Sequence, residues 1–234
     1  MDHTNSRFDS ELDELRRSSI EMAELVRQQL QRAVEAVRTA NPDLVIQVLS
    51  DEAQVNRMHL QSDLYCHQVI ARRQPIAIDL REILAILHMN NDLERIGDEA
   101  KKIAKKSRKL AGRPLPIDIA RINEMAIRVC SMLQRAVDAF MRRDATVVDG
   151  LRAEDKEVDA MRKAVTTELV SKMEDQRAPV NDALAMIFVA QSLERVGDHA
   201  KNIAEYVVTV VDGTDPRYVR SVRRTSRKVP FAED

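Results

Sequence analysis

Tryptophan is absent, tyrosine and phenylalanine number only three and four, and glycine occurs five times in 234 residues. With aromatics at 3% and apolar residues at 44%, a core here has to be built from Leu, Ile, Val, Ala and the ten methionines. Scarce glycine argues against a fold made of many tight turns and short strands. Two cysteines, Cys66 and Cys130, lie far apart inside helical patterns, which excludes a disulfide framework and a cysteine zinc site. Both are expected to be small buried apolar residues. No apolar run is long enough to span a bilayer, and Met1-Asp2-His3-Thr4-Asn5-Ser6 lacks the basic start of a secretory leader, so a cytoplasmic protein is expected. Lys and Arg (37) balance Asp and Glu (38), leaving no global charge that would favour nucleic acid or a membrane surface. Neither a Gly-rich phosphate loop, nor a Ser/His/Asp order, nor CxxC occurs.

What is present is helical periodicity. Phe8, Leu12, Leu15, Met22, Val26, Ala33 and Val37 recur at three- and four-residue steps and predict a first helix from about Asp9 to Thr39. Asn41-Pro42-Asp43 supplies an N-cap, a proline at the first helical position and an acid in the first turn. A second helix follows through Val48, Val55, Met58, Cys66 and Val69 to about Gln74-Pro75. A third runs from about Asp79 through Ile83, Leu93, Ile96 and Ile103, and Ala111-Gly112-Arg113-Pro114-Leu115-Pro116 ends it as the one clear linker. Asp118 and Asp144 are candidate caps for a fourth and a fifth helix, and a sixth spans about Asn181 to Val211. Arg217 to Asp234 is Arg-rich and apolar-poor, and reads as a mobile basic tail.

The order of elements repeats. Leu93-Glu94-Arg95-Ile96-Gly97-Asp98 returns 100 residues later as Leu193-Glu194-Arg195-Val196-Gly197-Asp198. Glu52-Ala53-Gln54-Val55-Asn56 returns as Asp155-Lys156-Glu157-Val158-Asp159 at nearly the same offset. The expectation is an all-α protein of two tandem three-helix bundles, residues 1–112 and 113–212, followed by a tail over 213–234.

Two of the repeated features are locally unfavourable. Glu94 with Asp98, and Glu194 with Asp198, place like charges one turn apart, which costs a helix ~0.2–0.5 kcal/mol. Mid-helix Gly97 and Gly197 each cost about 1 kcal/mol relative to alanine. A cation would relieve the first, and the close approach of a neighbouring backbone would explain the second. Glu52 and Asn56 on the second helix, and Asp155 and Asp159 on the fifth, sit at the edges of their apolar stripes. If antiparallel neighbours bring these edges together, each half offers a surface groove of oxygen ligands suited to a hard cation such as Mg, Mn, Ca or oxidised Fe. Asn56 stands where a carboxylate would serve better, and Lys102 adds a positive charge near the first cluster. The Lys101-Lys102 and Lys105-Lys106 pairs read otherwise as a solvated face, and His199 lies one residue step off the ligand face. His59, His67 and His88 have no partner at ligand spacing and read as structural or exposed.

Asn91 to Ala100, its echo Ser192 to Ala204, and Gln74-Pro75-Ile76-Ala77-Ile78-Asp79-Leu80-Arg81 resemble the signature segments of the PhoU family, in the family's order, and the resemblance extends from about Asp9 to Val211. It implies two three-helix bundles and a homodimer. It also implies metal (Mn, Mg or Fe) at the paired motifs, here Glu52, Asn56, Glu94, Asp98, Asp155, Asp159, Glu194 and Asp198. The implied role is non-enzymatic: a repressor of phosphate uptake and the phosphate-starvation response. Its partners would be a phosphate-sensing histidine kinase and the ATPase subunit of the phosphate ABC transporter. The competing reading is a carboxylate-bridged metalloenzyme, but such bundles present inward-facing Glu-x-x-His pairs, which the matching motifs here lack.

Overall fold

A computed structural model describes residues 2–214, and these form six long helices with no strand among them. They are α1 (Asp2–Thr39), α2 (Pro42–Arg73), α3 (Ala77–Leu110), α4 (Ile119–Arg142), α5 (Val148–Glu174) and α6 (Val180–Asp212). A short 3-10 turn, Ala145–Val147, leads into α5. The basic tail from Arg217 lies outside the described residues.

The caps act as their residue types require. Asn41 accepts a hydrogen bond from the Asp43 amide at 2.9 Å with Pro42 at the first helical position, and Asp118 accepts from the Ala120 amide at 2.9 Å. Asp144 accepts from the Thr146 amide at 2.9 Å, so it caps the 3-10 turn rather than α5 itself. Gly213 closes α6 at φ 70°, a conformation that glycine adopts without penalty, and its N–H donates to the Thr209 carbonyl at 3.1 Å. The first helix starts seven residues earlier than its apolar stripe predicts, because neither proline nor glycine interrupts the polar opening turns.

Each half is an α-helical trio: α3 packs on α1 and α2, and α6 packs on α4 and α5. The two trios share one core because α3 and α6 also pack along each other, with α1 against α4 behind them. Cross-links fix α3 and α6 as antiparallel. Arg81 reaches the Val210 carbonyl (3.3 Å) at one end, Glu99 meets Arg195 (3.4 Å) in the middle, and Arg113 pairs with Asp182 (2.8 Å) at the other. Antiparallel pairing of two copies of one helix places Gly97 and Gly197 at matching mid-points. In the absence of tryptophan, Leu30, Ile83, Ile86, Met89, Met125 and Met132 are among the largest fully buried side chains. Flexible methionine fills the irregular gaps that an aromatic-poor core leaves. Cys66 and Cys130 are buried and unbridged, as expected.

Candidate functional site

The first cluster forms where α3 crosses α2. Gly97 allows it: a Cβ there would stand 3.0 Å from Gln29 Oε1, 3.4 Å from Val55 Cγ1 and 3.5 Å from Glu52 Oε2. The close neighbours are therefore side chains of α1 and α2, not the backbone that the sequence suggested. Glu52 is buried rather than lying on a surface groove. It accepts hydrogen bonds from Gln29 Nε2 (3.3 Å), Asn56 Nδ2 (3.3 Å) and Lys101 Nζ (3.0 Å). Asn56 thus serves the carboxylate as a hydrogen-bond donor. Lys101 also reaches Asp98 at 3.5 Å. Burial alone would raise the Asp98 carboxyl, but its hydrogen bond with Glu52 and the Lys101 charge hold it below the usual carboxylate range. Glu94, on the same face, pairs with neighbouring Arg95 at 3.5 Å.

The second cluster repeats the arrangement between α5 and α6. Lys201 Nζ donates to Asp155 at 2.7 Å and to Asp198. Burial works against the Lys201 charge, yet the bonds from Asp155 and Asp198 raise its pKa above the ordinary lysine value, so the ammonium persists. Asp159 is drawn away to Arg162 (2.8 Å) and Lys163 (2.6 Å), whose bonds lower its pKa. Glu194 lies 3.8 Å from Arg162. Burial, and next the charge of Asp198, push the Glu194 carboxyl above its usual range. Around Gly197 a Cβ would meet Val129 at 3.6 Å, Val158 at 3.7 Å and Asp155 at 3.8 Å, all ordinary contacts. Val129 here takes the place that Gln29 holds in the first half.

Four of the eight candidate residues therefore meet around an ammonium: Glu52 and Asp98 at Lys101, Asp155 and Asp198 at Lys201. The other four stand at the margins. Lys101 is not part of a solvated face but the internal counter-charge of its cluster. The signal was a lysine three residues after each motif aspartate, in both repeats, and i,i+3 spacing brings the two side chains together. Lys102, whose charge still contributes to lowering Asp98, bonds mainly to Glu99 at 2.8 Å. His199 turns from the cluster to the α3–α6 seam, where its Nδ1 lies 2.7 Å from buried Asp92. Tyr206 donates its hydroxyl to the same carboxylate at 2.7 Å, and His88 stacks on the Tyr206 ring with centroids 5.4 Å apart.

The donors are all oxygens, so their chemistry fits a hard cation and not structural zinc. In the present arrangement, however, no three acidic, His or Cys side chains converge as a ligand set among the described residues. A lysine nitrogen stands between the carboxylates in each cluster.

The PhoU domain family model matches residues 20–107 and again residues 122–207, one match per helical trio. A phosphate-specific transport system accessory protein PhoU homolog of Pseudomonas aeruginosa is 40% identical, over 94% of this chain and 92% of its own length. The Escherichia coli accessory protein PhoU is 33% identical over 93% of this chain and 90% of its own. The crystal structure of PhoU from P. aeruginosa superposes with a TM-score of 0.83 at 41% identity, covering 88% of this chain and all of that one. The phosphate transport system regulatory protein PhoU from Streptococcus pneumoniae also superposes at 0.83, with 25% identity, over 89% of this chain and 98% of that one. Duplicated sequence, duplicated trios and near full-length similarity agree: the chain belongs to the PhoU family.

Proposed function

We propose that this protein is an accessory regulator of phosphate uptake that represses phosphate-starvation signalling. It would act as a helical adaptor, working as a homodimer, between a phosphate-sensing histidine kinase and the ATPase subunit of a phosphate ABC transporter. The observation that carries the reading is similarity along almost the whole of both chains to relatives named as phosphate-transport accessory proteins. No helix among the described residues is long and apolar enough to cross a membrane, which suits a partner that docks on a transporter rather than forming part of its channel. Deleting the gene tests it. Phosphate-starvation genes should be expressed under phosphate-rich growth, and unchanged expression with kinase and transporter intact would contradict the assignment.

Within that role, the carboxylate clusters are proposed to bind Mn, Mg or Fe. A bound cation would supply a cross-link between α5 and α6 through Asp155, Asp159, Glu194 and Asp198, and a weaker one between α2 and α3 through Glu52, Glu94 and Asp98. Lys201 and Lys101 would have to swing out to solvent, which long flexible side chains accomplish readily. The metal is then exchangeable and competes with a built-in ammonium. Lys201→Met should therefore raise metal affinity at the second cluster by at least tenfold in a calorimetric titration. Equal affinity in the variant and the parent would contradict the competition.

A further inference from the structure

The C-terminal half of α3 carries more positive charge than its own fold uses. Lys101 is engaged by Glu52 and Asp98, Lys102 by Glu99, and Arg113, just beyond the helix, by Asp182. Lys105, Lys106, Arg108 and Lys109 make no ion pair among the described residues. Lys106 instead lies 4.2 Å above the ring of Phe188 on α6, an aromatic left 47% exposed. Between the two helices opens a cavity of about 530 Å³ whose rim is Lys106, Arg108, Lys109 and Arg113 and whose apolar wall is Leu184 and Phe188. A second cavity of about 270 Å³ shares Lys106 and Phe188 and extends the groove to Lys102 and Arg195.

A solvated helix end is the ordinary explanation for clustered lysines, since cations favour a helix C-terminus. The internal duplication tests that explanation within the same chain. One hundred residues on, Lys105, Lys106, Arg108 and Lys109 correspond to Glu205, Tyr206, Val208 and Thr209, and the last turn of α6 has no basic residue. There the groove is closed: Tyr206 is buried, stacks on His88 (the counterpart of Phe188) and bonds to Asp92. Glu205 is buried against Arg152 at 2.8 Å. Of two ends related by duplication, one is sealed by its own side chains and the other is open, cationic and aromatic-walled. The helix dipole acts equally at both ends and does not account for the difference.

We propose that this open end of the α3–α6 groove binds an anion carrying several linked phosphates. Three cations on the rim that make no ion pair among the described residues, Lys106, Arg108 and Lys109, match a phosphoanhydride chain better than a single compact phosphate, because linked phosphates can each meet a cation. The cavity is of the size that small-molecule ligands occupy, about 300–1,000 Å³. Two sources offer that chemistry, a nucleoside triphosphate or inorganic polyphosphate. The exposed part of Phe188 offers a stacking surface that only the nucleoside could use. The inference does not require a metal at the carboxylate clusters, whose residues do not line this cavity.

Calorimetric titration of the full chain in EDTA, with ATP, inorganic tripolyphosphate and orthophosphate as separate probes, tests it; EDTA removes metal-bridged binding. At least one of the first two should bind, more weakly as salt rises, and at least tenfold more tightly than orthophosphate. Lys106→Ala with Lys109→Ala should weaken that binding at least tenfold. Phe188→Ala should weaken ATP alone if the nucleoside is read, and neither probe if the phosphate chain suffices. Parental affinity in the double lysine variant would overturn the proposal, as would orthophosphate binding equally well. Silence of the parent towards both phosphate chains, expected if the groove receives an acidic protein segment instead, would overturn it too.

Discussion

Gly97 and Gly197 occupy equivalent places in the repeat, yet their surroundings give them opposite mutational behaviour. At Gly197 a methyl group would make ordinary contacts, so Gly197→Ala should recover the helix-propensity cost of about 1 kcal/mol. At Gly97 the methyl would meet the Gln29 carboxamide oxygen at 3.0 Å. That side chain is buried and already donates to the Val48 carbonyl and to Glu52, so it yields only by disturbing those bonds. Gly97→Ala should therefore be neutral or destabilising. Urea unfolding of the two variants checks this, and equal gains would contradict the packing described for Gln29. The cysteines give a second residue-scale test. Burial pushes the Cys66 thiol up to about 12 and the Cys130 thiol up to about 11, so neither carries appreciable thiolate at pH 8. Ellman's reagent should label the native protein negligibly and both thiols after unfolding. Rapid native labelling would mean that α2 or α4 opens locally.

At the scale of helices, the six elements were legible because apolar periodicity and side-chain caps are local signals. Asn41 and Asp118 each accept a backbone N–H as their sequence position suggests, whereas Asp144 caps the 3-10 turn that precedes α5. The start of α1 was not legible, since its first turns are polar and only an unbroken helix carries them. The carboxylates of the candidate site were legible through the duplication, but their counter-ions were not. A lysine at i+3 from an aspartate looks like any solvated pair until buried Glu52 and half-buried Asp155 turn it inward. The α3–α6 seam was hidden for a different reason. Asp92, His199 and Tyr206 meet only once two helices distant in sequence adopt one antiparallel register, and no local pattern specifies that register. The seam carries its own prediction. Tyr206→Phe keeps the ring against His88 and removes a hydroxyl donor from buried Asp92, and so should cost about 1–3 kcal/mol. An unchanged denaturation midpoint would show that Asp92 finds another donor.

In the whole molecule, two trios share a core but differ in charge at equivalent places. The second cluster has four carboxylates, Asp155, Asp159, Glu194 and Asp198, and burial first, then the charge of Asp198, push the Glu194 carboxyl above its usual range. The first has three, Glu52, Glu94 and Asp98, with Asn56 donating to Glu52 instead of adding charge. Hard cations are held mainly by the charge and number of their ligands, so the C-terminal half should bind more tightly. The most direct measurement is titration of Mn into metal-stripped protein. Two unequal classes of site are expected. Glu194→Ala with Asp198→Ala should abolish the tighter class, and Asn56→Asp should strengthen the weaker one. A tight class that survives the C-terminal double substitution would contradict the account and reduce both clusters to lysine-bridged structural pairs.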